Sequence, residues 1–341
     1  MNATGPAGLG ASLRQGWGDW VSFWDEREKP ISLALVRILL GLCWFYDFFH
    51  IWRLGLVVPL FGVGEVGGFS DALMRDHTPL FYQLFPGTEL SARGLHAAIT
   101  LSALCLMLGF FSRISAFTLL VGWATFAEVL PYADRGIDTL SRLALCVLVC
   151  SGSGKTLSID AYIRTGSVWG DGSTILCAPR RLLVLQLVLM YFAAGVSKVG
   201  ITWWPMGHFA ALYFALQDPA VAAWDFSYLR NQPFFFFTQI GTAGTILYQT
   251  TYPLVLLLMW WRRNPGRGGR IARFATKYRL EWVWIGIGGV FHSALAVSMN
   301  LGIFPWAMLA LYPVWVTPDE FEAIGRKLRA WFTRSVASPQ S

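Results

Sequence analysis

Between residues 31 and 317 the chain returns repeatedly to apolar runs of about 20 residues, the length a helix needs to cross a bilayer core. Eight runs are read: 31–51, 94–112, 114–132, 137–152, 181–199, 237–261, 281–299 and 301–317. They are continuous rather than alternating, which predicts helices and argues against a transmembrane barrel. Only 14% of the 341 residues are charged, against about 25% in a soluble domain. That deficit excludes a disordered chain and argues strongly against an ordinary water-soluble globule. The 17 Trp suit a protein with two interfacial aromatic belts. The predicted fold class is all-α, a polytopic integral membrane protein of about eight transmembrane helices. Segment 206–217, MGHFAALYFALQ, is too short to span and is predicted to form one short re-entrant or interfacial helix.

Basic residues give the orientation. Placing the N-terminus in the cytoplasm puts nineteen of the 27 Lys and Arg on the inner side and five on the outer side. This asymmetry predicts both termini inside the cell membrane. It also accounts for the net charge of +7 without a nucleic-acid partner. The stretch WRRNPGRGGRIARFATKYR, 261–279, fixes one inner loop by itself. The predicted divisions are a cytoplasmic segment 1–30, a membrane domain 31–317 with no internal linker, and a tail 318–341. The tail is read as a capped amphipathic helix on the inner surface, because Thr317-Pro318-Asp319-Glu320 opens it. No secretory signal is expected in residues 1–30, which lack an early apolar run.

Polar residues at membrane depth are costly and functional by default. Arg37 sits in LALVRILLG and is read as paired inside the bundle, with snorkelling as the alternative. Asp47 lies ten residues further along the same helix, about 15 Å away, so each needs another partner. Glu128, Asp134 and Asp138 gather near Arg135 and Arg142. They form either an acidic cavity wall or a helix-start ion pair between Asp138 and Arg142, four apart. His77 in the outer loop is open to either a functional or a solvated reading. The densest constellation is QLVLMYFAAGVSKVGITWWPMGHF, 186–209. Tyr191, Gly195 and Lys198 fall on one helix face, and Trp203, Trp204 and His208 follow. A lysine desolvated beside an aromatic wall has a lowered pKa and can act as a base. The bland reading is an interfacial anchor. His292 is mid-span, as a packing residue or a proton or redox group.

Other patterns fail. CSGSGKTLS, 150–158, lacks the first glycine of a phosphate loop, because Val149 stands there. Cys146 and Cys150 are too few for a zinc site and are read as core packing, so no metal is predicted.

Three stretches carry a likeness to a known family. They are LALVRILLG with Arg37, RRLLVLQLVLMYFAAGVSKVGITWWPMG over 180–207, and RGIDTLSR (135–142) followed by LSIDA (157–161). Together they resemble the horizontally transferred transmembrane (HTTM) family, which includes the membrane domain of the vitamin K-dependent γ-glutamyl carboxylases. The likeness runs over about residues 15–315. It implies a lysine, here Lys198, that deprotonates a reduced quinone such as menaquinol or a vitamin K-like compound. Oxygen then adds, and the strong base so formed removes a γ-proton from a peptide Glu for carbon dioxide to trap. Asp138 stands where the carboxylase has a histidine, and the carboxylase's large outer domain is expected to be lacking here.

Two functions follow as expectations. One is a quinone-linked, carboxylase-like or quinol-oxidising enzyme acting on a secreted peptide. In it Lys198 is the base, Asp138 and His208 orient groups, and Tyr191, Gly195, Trp203, Trp204, His292 and Arg37 line or support the quinone site. A separate protein would supply the outer domain. The other is a non-catalytic membrane accessory for peptide maturation or export.

Overall fold

A computed structural model describes residues 6–70, 78–264, 266 and 268–337. His77 lies outside these residues. The described chain is all-α apart from a two-stranded antiparallel pair, β1 (Arg27–Glu28) with β2 (Ile175–Leu176). Helices of ten residues or more are α1 (Pro6–Asp25), α2 (Ile31–Arg53), α3 (Glu89–Leu108), α4 (Ser112–Val129), α5 (Gly136–Cys150), α6 (Ala178–Val196), α7 (Phe234–Thr250), α8 (Leu254–Arg263), α9 (Gly269–Tyr278), α10 (Glu281–Ser298) and α11 (Pro318–Ala337). Three of them, α2, α3 and α6, are long and apolar enough to cross a membrane. The pair α9 and α10, bent by 50°, would add a fourth.

Each of the eight apolar runs coincides with helix, but two are interrupted. Run 237–261 breaks at Thr251–Pro253 into α7 and α8. Run 301–317 becomes a seven-residue helix, Phe304–Ala310, and a turn of 3-10 helix at Tyr312–Trp315. Proline explains both interruptions. Pro253 and Pro313 have no N–H for an i−4 carbonyl, and their rings crowd the preceding turn. Segment 206–217 holds a 3-10 turn, Pro205–Gly207, and a short helix, Ala211–Gln217.

The chain forms two compact units, residues 1–183 with 310–341, and residues 184–309. In the first unit α2 buries a stripe of Leu33, Val36, Leu40, Trp44 and Phe48, spaced three or four apart as one helix face requires. Gly41 brings α2 against α3, since a Cβ there would meet the Met107 nitrogen at 2.5 Å. Lipid chains are as apolar as leucine, so such small-residue approaches and polar ties carry the specificity of helix pairing in a membrane.

The polar ties lie at both ends of the unit. At one end the fully buried Arg37 donates to the carbonyls of Leu106 (2.8 Å), Met107 (3.3 Å) and Leu157 (2.5 Å). Its partner is thus the carbonyl end of α3, where orphan oxygens and the helix dipole favour a cation. Left-handed Gly109 makes room, because a Cβ there would lie 2.2 Å from an Arg37 Nη. Asp160 accepts the Phe111 and Ser112 N–H groups at 2.8 Å each and so caps the start of α4. Buried Arg180 joins Glu28 at 2.8 Å and donates to the Val314 carbonyl. Glu320 accepts the Thr317 N–H at 2.9 Å and closes the start of α11, as expected.

At the other end Asp138 does not pair with Arg142. Arg135 takes it instead, through both its backbone N–H (2.8 Å) and its guanidinium (3.0 Å), which makes a capping box at the start of α5. Arg142 forms a two-pronged pair with Asp134 at 2.7 Å on each prong. Arg135 also reaches Asp47 at 3.4 Å, which supplies the partner Asp47 required. Cys146 and Cys150 are exposed on α5, not packed in the core. Ala144, Leu145 and Leu148 turn inward there, and the cysteines occupy the opposite face.

Candidate functional site

The second unit assembles a polar stripe around the end of α6. Tyr191, Gly195 and Lys198 share a face, and α7 lies along it. Gly195 sets the approach: a Cβ there would meet the Thr250 nitrogen at 2.8 Å and Gln249 Cβ at 3.0 Å. The space beside the small residue is therefore filled by a neighbouring helix. Nearby, the Tyr191 ring stacks on the Tyr252 ring at 4.2 Å, and both meet the Tyr248 ring edge-on. On its other side Tyr191 Oη and His292 Nε2 are 2.6 Å apart. Both side chains are only 1% exposed.

Lys198 lies two residues beyond the end of α6. Its Nζ donates to Gln249 Oε1 at 2.6 Å and to the Ala194 carbonyl at 2.7 Å, and it stands 4.9 Å from the centre of the Trp203 ring. These partners are neutral, and among the described residues no carboxylate pairs with it. The ammonium is thus held by dipoles and a ring face rather than by an anion. Trp204 donates its indole N–H to the Lys198 carbonyl at 2.9 Å and fixes the backbone after the helix. In the chain that follows Lys198, the apolar side chains of Val199, Ile201, Trp204 and Met206 are all exposed.

The other expected site residues are placed as follows. His208 has a left-handed backbone conformation with φ 57°. Its carbonyl accepts from Gln239 Nε2 at 2.6 Å, and among the described residues no hydrogen bond reaches its ring. Arg37 and Asp138 belong to the first unit, with the carbonyl and Arg135 partners described above. The second unit thus brings Lys198 together with Trp203 and Trp204, and Tyr191 together with His292.

Three residues escaped the sequence reading. Gln249, Tyr248 and Tyr252 form YQTTY at the end of α7. The spacing of three and four is a helix-face signal, and a buried glutamine in an apolar helix signals a needed partner.

A family model described as HTTM domain matches residues 26–263. No curated protein and no solved structure match the chain. The matched region includes Lys198, Gln249, Trp203 and the three tyrosines and stops short of His292. It covers well over half of the chain, and the protein belongs to the HTTM domain family.

Proposed function

We propose that this HTTM membrane protein is a quinol-using enzyme in which Lys198 is the proton acceptor. The observation that carries this reading is the neutral surround of Lys198. A lysine held by an amide oxygen, a carbonyl and a ring face can lose its proton without leaving a buried anion unpaired. The surrounding residues fit a flat aromatic ring bearing hydroxyls. Trp204 offers exposed ring surface for stacking, and its neighbour in the chain, Trp203, has its ring centre 4.9 Å from Lys198 Nζ. A reduced quinone bound there would supply an electron pair and a hydroxyl proton. Lys198 would accept that proton at Nζ. Gln249 would hold Nζ in place through either protonation state, its amide oxygen accepting from the amine or the ammonium. Trp204 would fix the backbone from which the lysine projects.

The finer assignments rest on the same footing. The eight apolar runs support eight crossings, two of them interrupted. The asymmetry of nineteen inner against five outer cations supports a cell-membrane protein with cytoplasmic termini. A secreted peptide is the substrate class that the family likeness implies.

One observation favours the accessory reading. The bond from Lys198 to Ala194, four residues back, is a helix C-cap, and a capping lysine needs no chemistry. Oxygen-dependent quinol consumption by the purified protein in detergent separates the two. The enzyme reading expects oxidation above background that is lost in both Lys198→Ala and Lys198→Arg, because arginine stays protonated. A wild type that leaves quinol untouched, or an arginine variant as active as wild type, would overturn it in favour of the accessory.

A further inference from the structure

Helix α9 divides into three faces. Ala272 and Ala275 are buried against α8. Ile271, Phe274 and Tyr278, at i, i+3 and i+7, are exposed and apolar. Arg270, Arg273 and Lys277 repeat the same spacing one residue earlier and are exposed as well. Among the described residues neither Arg270 nor Arg273 has an ion-pair partner. Lys277 has only the Tyr278 ring, 5.3 Å away. Glu281 at the start of α10 is already engaged by Arg262 and Arg279.

This helix cannot continue α10 into hydrocarbon. Three cations in ten residues would each cost about 2.5–3.5 kcal/mol at the centre of a spanning helix. The 50° bend between α9 and α10 gives it another course, along the bilayer surface. There an apolar face enters the acyl boundary and a cationic face meets the headgroups. Every charge that α9 presents on its exposed faces is positive, so the complementary surface is anionic.

We propose that α9 is an in-plane helix whose Arg270, Arg273 and Lys277 bind anionic phospholipid headgroups while Ile271, Phe274 and Tyr278 seat among the acyl chains. The proposal does not depend on the activity at Lys198.

The test is native mass spectrometry of the full chain in detergent, titrated with phosphatidylglycerol or phosphatidylcholine. Wild type is expected to retain phosphatidylglycerol at least tenfold more tightly. Raising the salt from about 0.1 M to 1 M shortens the screening length from about 10 Å to 3 Å and should erase much of the preference. The variant Arg270→Gln/Arg273→Gln/Lys277→Gln should lose on the order of 100-fold, at about fivefold per cation. Arg270→Lys/Arg273→Lys, which keeps the charge, should stay within about threefold of wild type. Equal retention of the two lipids by wild type, or an unchanged preference in the glutamine variant, would overturn the proposal.

Discussion

Tyr191 and His292 stand 101 positions apart in the chain and meet through a 2.6 Å hydrogen bond between side chains that are both buried. The bond joins α6 to α10, two helices whose apolar surfaces do not specify one another, because lipid is an equally good partner for either. A polar tie at this depth has no water to replace it. Stacking on Tyr252 holds the Tyr191 ring in the plane the bond requires.

Tyr191→Phe keeps the ring stack and deletes the hydroxyl. It should cost about 1–2 kcal/mol, the upper part of the range measured for side-chain hydrogen bonds between membrane helices. Thermal unfolding in detergent reads the loss. A cycle with His292→Gln should show a coupling of similar size, and additive effects of the two substitutions would mean that the pair does not act as a tie.

Gly195→Ala tests the approach of α6 and α7. The added Cβ would press on the backbone of Thr250 and Gln249 at 2.8–3.0 Å, and neither backbone can rotate away. Overpacking of this kind costs about 1–3 kcal/mol. Displacing Gln249 also pulls its amide from Lys198, so any quinol oxidation should fall with the melting temperature. An unaltered melting temperature would show that the helices have slack.

Arg37→Met removes the cation that three carbonyls share, that of Leu106 buried and those of Met107 and Leu157 partly so. A buried acceptor left unpaired costs about 1–3 kcal/mol. The loss should also be local, because Leu157 sits next to the Ser158 cap of the short helix Ile159–Thr165. Hydrogen exchange should therefore quicken at residues 153–165 before it does at α2. Uniform exchange across the first unit would argue against a tie confined to this loop.

The helices were legible in the sequence because period and hydropathy need no partner to be read. Their interruptions were legible too, at Pro253 and Pro313, but run length alone overrode the missing N–H. Lys198 stood out as a cation at the end of an apolar run. Its partner did not, since Gln249 is an unremarkable amide until α7 is laid along α6. The pairing near Arg142 failed for a similar reason. Four-residue spacing suggested Asp138, but the start of α5 had a use for that carboxylate on the orphan N–H of Arg135. Local spacing lists candidates for a pair, and helix ends decide among them.

Gln249→Glu gives the sharpest reading of Lys198. Among the described residues wild-type Lys198 has only neutral partners, so no anion there favours the ammonium. A lysine accepts a proton only in its neutral form. The glutamate is nearly isosteric and keeps an oxygen where Gln249 Oε1 now accepts at 2.6 Å. It adds a negative charge, which favours the ammonium and raises the lysine pKa. If Lys198 is the base, the alkaline rise of quinol oxidation should move to higher pH, and the rate near pH 7 should fall. Activity should return when the pH is raised far enough to deprotonate the lysine. Gln249→Leu, which removes the acceptor and adds no charge, should lower the rate without an upward shift of the profile. A glutamate variant whose profile matches wild type would show that the protonation state of Lys198 does not enter the rate.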